Sequence, residues 1–158
     1  MIPTGLLAVL TILALFFAVR RANLHPLAIV CAWMLSVFFE DVFYTIFALN
    51  LEWVEPSEKV GHVWLRVLGL YAVSPLLVVW TIDAIAGTAA IGRKLRNLAT
   101  GVVSLLAVDA AMAKEGVWYF PDDWPAWGWL AKPFLLVTIT ALLVASFRRL
   151  LDKEGIRE

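Results

Sequence analysis

The chain has 158 residues, of which 62% are hydrophobic and only 16% charged, with 13 basic and 13 acidic side chains and a mean hydropathy of +0.84. Soluble domains average roughly 45 to 50% apolar and about 25% charged, so this composition excludes one and describes a single all-α domain, residues 1–158, integral to a membrane. The balanced charge offers no footprint for a nucleic acid, and a lone cysteine, Cys31, excludes an internal disulfide or CxxC chemistry.

Crossing a hydrocarbon core roughly 30 Å thick takes about 20 apolar residues, and five stretches approach that length. The first covers residues 3–19 and is closed by Arg20 and Arg21. No basic residue precedes it and no small-x-small cleavage site follows it, so it reads as a retained helix rather than a signal peptide. The second covers residues 26–49, opening on a first-turn proline, Pro26. The third covers residues 62–86, with a helical start as early as Pro56 in view, and Pro75 predicts a kink within it. The fourth covers residues 98–112, where Gly101, Ser104, Ala107 and Ala111 offer a small-residue face for close helix packing. The fifth covers residues 127–147, and Pro133 is expected to loosen it beside Lys132.

Basic residues set the expected orientation. Arg20 and Arg21, then Arg93, Lys94 and Arg96, then Arg148, Arg149, Lys153 and Arg157 all fall on one side of the five spans. Lys59 and Lys114 alone fall in the opposite loops, among Glu52, Glu55, Glu58, Glu115, Asp122 and Asp123. The expectation is an N-terminus outside and a C-terminus in the cytoplasm, in a cell membrane of the bacterial inner-membrane kind. Most tryptophans, Trp53, Trp64, Trp118, Trp124, Trp127 and Trp129, collect at the outer ends. Interfacial anchoring explains them, and the stretch "GVWYFPDDWPAWGWL" also offers an aromatic lid over an outer opening.

Given that orientation, each ionisable residue acquires a depth. Glu40 lies nine residues before Leu49, roughly 14 Å below the outer end of its helix, and its neighbour Asp41 points about 100° away. Arg66 and Asp109 lie about one turn inside their helices and Lys132 about a turn and a half. A charge near a helix centre costs at least about 2.5 to 3.5 kcal/mol, so these residues are expected to face the bundle interior and to pair. Three acids meet two bases in this set. One carboxylate is therefore left to hold a proton, a neutral hydrogen-bond partner or a ligand.

Two readings follow: an ion-pair network that fixes helix register, or an outward-facing polar pocket with Glu40 as its floor. The pocket reading takes Glu40, Asp41, Tyr44, Arg66, Asp109 and Lys132 as ligand- or proton-binding residues. Tyr44 is one turn from Glu40 and placed to donate to it, with Thr45 and Ser74 as further neutral partners. A helix starting at Pro56 would align Glu58, His62 and Arg66 at i, i+4 and i+8 as an entry path or a salt-bridge ladder. Asp83, near the inner end of the third span, is expected to form an ion pair with Arg93, Lys94 and Arg96 or with Arg20 and Arg21.

No Ser-His pair, HExxH, metal-ligand cluster or phosphate loop is present, so no metal is assigned and no cofactor is named. An enzyme is disfavoured, although a lipid-modifying one that uses the buried carboxylates stays open. The favoured function is binding or transport of a small cationic, zwitterionic or lipid-like ligand, proton-linked through Glu40, in a monomer or homo-oligomer within the lipid bilayer. An accessory subunit packed on a larger membrane complex is the alternative.

Overall fold

The computed structural model describes residues 23–51, 53–119 and 126–156. The expected first span, residues 3–19, lies outside them, as do Arg20, Arg21 and much of the proposed lid. The described residues contain four helices long and apolar enough to cross a membrane. They are α1 (Pro26–Asn50), α2 (Val60–Ala86), α3 (Ile91–Lys114) and α4 (Ala126–Lys153).

Helix α1 starts where His25 Nδ1 accepts the Leu27 amide at 3.2 Å and Pro26 occupies the first turn. Every fourth residue, Ala28, Ala32, Ser36 and Glu40, is buried at 1% exposure or less, which is the stripe a helix turns inward. Leu27, Val30, Met34 and Phe38 on other faces stay exposed. Large exposed hydrophobics recur on all four helices. A lipid-facing surface accounts for them, since water would not.

Helix α2 is central. Half of its most apolar stretch is buried, against 28% in each of the others, and it packs on α1, α3 and α4. Its middle is π-helical over Gly69–Val73, where the Ser74 amide reaches back five residues to the Gly69 carbonyl. Pro75 has no amide to continue the ladder and its ring crowds the preceding turn; the widened turn takes up that mismatch. The kink predicted at Pro75 is thus a π-turn just before it. The helix starts at Val60 with Lys59 as cap, so the start envisaged at Pro56 is corrected: Pro56 lies in a short strand.

That strand, β1 (Glu55–Pro56), pairs antiparallel with β2 (Trp118–Tyr119), and the Ser57 amide bonds the Val117 carbonyl at 3.1 Å. The pair ties the α1–α2 and α3–α4 connections together at one end of the bundle. Helix α3 turns into β2 through Gly116 at φ +73°, with the Val117 amide on the Met112 carbonyl at 2.9 Å. This left-handed closure satisfies the last carbonyls and favours glycine.

At the other end, Asp83 accepts the backbone amides of Asn23 and Leu24 at 2.6 and 2.9 Å and the Asn23 side chain at 3.0 Å. Among the described residues it makes no ion pair with Arg93, Lys94 or Arg96; the other expected partners, Arg20 and Arg21, lie outside the described residues. Arg93, Lys94 and Arg96 are not in a loop either, because α3 begins at Ile91. Likewise α4 runs on to Lys153 and carries Arg148 and Arg149. Long basic side chains favour helix and reach the interface from its ends, so both helices continue past their apolar stretches. The small-residue face of α3 is also corrected: the buried residues are Gly101, Leu105, Asp109 and Met112, while Ala107 and Ala111 are exposed. At Gly101 α2 comes close, since a Cβ there would overlap Thr81.

The apolar interior has two parts. One, around Leu24, Ala28, Val79, Leu105, Val137 and Val144, fills the end near Asp83. The other, around Ala48, Leu70, Met112, Val117 and Trp118, lies under the β1–β2 pair. Glu40, Asp109 and Lys132 sit at the level between them.

Candidate functional site

The charged layer is built from three helices. Lys132 of α4 extends its ammonium between α1 and α3, with Nζ 3.1 Å from Glu40 Oε2 and 3.1 and 3.3 Å from the two oxygens of Asp109. The Glu40 contact is an ion pair without hydrogen-bond geometry. Neither carboxylate oxygen of Glu40 has a hydrogen-bond partner among the described residues, although the residue is 1% exposed. Ser74, buried at the head of the α-helical half of α2, lies beside it. A buried polar group without partners is rare and requires an explanation. Two carboxylates share one ammonium, so the ionised triad carries one uncompensated negative charge.

Above the triad is a cavity of about 170 Å³ that reaches toward the β1–β2 end. Glu40, Asp109 and Lys132 form its polar floor, and Phe43, Tyr44, Phe47, Trp53, Trp118, Trp127 and Trp129 supply most of its wall. Phe43 stacks on Phe47 at 6.0 Å between ring centroids, and Phe47 meets Trp53 at 5.8 Å. Both π-helical stretches border the cavity: Phe47 and Ala48 belong to Thr45–Asn50, and Leu70 to Gly69–Val73. Departures of this kind from α-helix geometry concentrate at functional sites.

Of the six residues expected at the site, the structure brings Glu40, Tyr44, Asp109 and Lys132 to the cavity and leaves Asp41 and Arg66 out of its lining. Asp41 accepts a 2.6 Å hydrogen bond from the Tyr71 hydroxyl; it pairs with neither Arg66 nor Lys132. Turned about 100° from Glu40 on the same helix, it faces the α1–α2 groove instead. Arg66 lies 5.5 Å over the Tyr44 ring and 5.8 Å over the Trp118 ring, a cation–π arrangement, and pairs with no carboxylate among the described residues. Tyr44 does not donate to Glu40 as expected. Its ring packs on Trp118 at 5.8 Å.

The aligned Glu58–His62–Arg66 stripe is not formed, because Glu58 precedes the helix. His62 Nδ1 instead shares a 2.8 Å hydrogen bond with Ser57 Oγ. Thr45 is exposed. Tyr71 was missed in the sequence because a tyrosine in an apolar span carries no signal of its partner. Trp118, Trp127 and Trp129, expected as interfacial anchors or as part of an aromatic lid, line the cavity wall. Among the described residues no group of three His, Cys, Asp or Glu side chains is placed to hold a metal ion.

No family model matches the chain, and no curated protein or solved structure matches it significantly. Fold and composition define a multi-pass helical membrane protein with an aromatic cavity over a charged floor.

Proposed function

We propose that this protein sits in a cell membrane of the bacterial inner-membrane kind, with five spans and its N-terminus outside, and binds a small cationic, zwitterionic or lipid-like ligand in the aromatic cavity over Glu40. In a proton-linked cycle through Glu40 it moves that ligand across the membrane. One observation carries the reading: a carboxylate 1% exposed, ion-paired to Lys132 but without a hydrogen bond among the described residues, lies at the floor of a 170 Å³ aromatic cavity. Ligand pockets combine apolar walls with a few convergent polar groups, and an ionisable residue inside a membrane marks a functional site by default. Pro75 and the adjoining π-turn give α2 a place to bend next to Leu70 and Ser74, which suits a gated site.

A purely structural triad is the competing reading, favoured by the way Lys132 joins α1, α3 and α4. Ligand release distinguishes the two. Protein purified with its surrounding lipid is denatured and the released small molecules are compared with those from Ala131→Trp, which fills the cavity from its wall. The proposal expects a stoichiometric molecule from the wild type that the variant lacks. Identical release from both contradicts it.

A further inference from the structure

We infer that the occupant of this cavity is a protonated primary or secondary amine on a compact apolar body of about one aromatic ring; the inference rests on the ligand-binding reading above. Three independent features of the floor and wall select this chemistry.

The first is charge. Lys132 lies within 3.1 Å of both Glu40 and Asp109, so the floor holds two carboxylates against one ammonium. A monocation completes that balance, and an anion would add a second uncompensated charge beside the carboxylates. The second is hydrogen bonding. Glu40 Oε2 faces the Lys132 ammonium at 3.1 Å, while Oε1 accepts no hydrogen bond among the described residues, and a carboxylate is an acceptor only. The missing partner is therefore a donor, which an N–H-bearing ammonium supplies and a quaternary ammonium does not. The third is size and wall chemistry. An engineered cavity of about 150 Å³ lined by apolar groups takes up benzene, so 170 Å³ accommodates one ring or a short alkyl body. The walls of Phe, Tyr and Trp offer ring faces that attract a cation. Arg66, already stacked over Tyr44 and Trp118, is absent from the lining and does not block the floor.

The experiment compares four molecules of one shape: benzylamine, benzyltrimethylammonium, benzyl alcohol and benzoate. Each is titrated calorimetrically at neutral pH into the full chain in lipid nanodiscs, with heats from empty nanodiscs subtracted. Benzylamine is expected to bind saturably and at least tenfold more tightly than the other three. Glu40→Gln should weaken it at least tenfold, and Glu115→Gln, exposed just past α3 and outside the cavity lining, should leave it unchanged. The wild-type series decides the question even where Glu40→Gln fails to fold. Equal or tighter binding of the alcohol or benzoate overturns the amine assignment and leaves the cavity reading standing. Equal binding of benzyltrimethylammonium overturns the requirement for a donor. Binding of none of the four overturns the assignment, and the Ala131→Trp release experiment then judges the cavity reading separately.

Discussion

Lys132 carries the charge balance of the whole interior, because it is the single cation within 3.1 Å of Glu40 and of Asp109 among the described residues. Replacing it with methionine keeps the stem and deletes the ammonium, leaving two carboxylates facing each other in a low-dielectric layer. Breaking a buried pair from one side costs about 3 to 5 kcal/mol, and unfolding of Lys132→Met in mixed micelles should show a loss of that order. The triple variant Glu40→Gln, Lys132→Met, Asp109→Asn removes every charge together and should recover most of the stability. If the triple variant is as unstable as the single one, the network is not electrostatic in origin. Asp41 escapes this coupling because Tyr71 satisfies it on the other side of α1. Two adjacent acids thus belong to separate environments, one in the bundle axis and one in the α1–α2 groove.

At the level of elements, α2 and α3 approach closely at Gly101. A methyl group there would meet the hydroxyl, methyl and Cβ atoms of Thr81, and a β-branched side chain on a helix has little freedom to move aside. Gly101→Ala should therefore destabilise by about 1 to 3 kcal/mol, and adding Thr81→Ala should restore part of that loss. A neutral Gly101→Ala in thermal unfolding would place the close contact elsewhere. The inward stripes of α1 and α3 were only partly legible beforehand. Hydropathy located each span, and the fourfold spacing of Ala28, Ala32, Ser36 and Glu40 is visible in the sequence once Glu40 is assumed to point inward. The choice of Leu105 and Asp109 over Ala107 and Ala111 on α3 was not legible, since both sets suit a helix interface. It depends on where α2 and α4 stand. Helices α3 and α4 run past the apolar stretches read from the sequence because lysine and arginine lower a hydropathy window yet are good helix formers.

For the whole molecule, the structure places four apolar helices around a charged layer between two apolar clusters. Depth along the helices was readable from residue counts, so Glu40, Asp109 and Lys132 were found together; angular position around neighbouring helices was not, so Arg66 and Asp41 were placed with them. The proposed orientation sets the β1–β2 end outside and the basic starts and ends of α3 and α4 inside. Single cysteines at Glu58 and Asp152, introduced after Cys31→Ala, test it with a membrane-impermeant maleimide on intact cells. Glu58→Cys is expected to label directly and Asp152→Cys only after permeabilisation. The reverse pattern would turn the cavity toward the cytoplasm.

The central claim is that the space above Glu40 exists to hold a ligand. An experimental structure of the full chain in lipid nanodiscs, at a resolution that shows side chains, tests it most directly. A bound ligand would appear as non-protein density walled by Phe43, Phe47 and Trp118, with a polar atom within hydrogen-bond distance of Glu40. A cavity closed by the protein's own side chains, with Glu40 bonded to one of them, would contradict it.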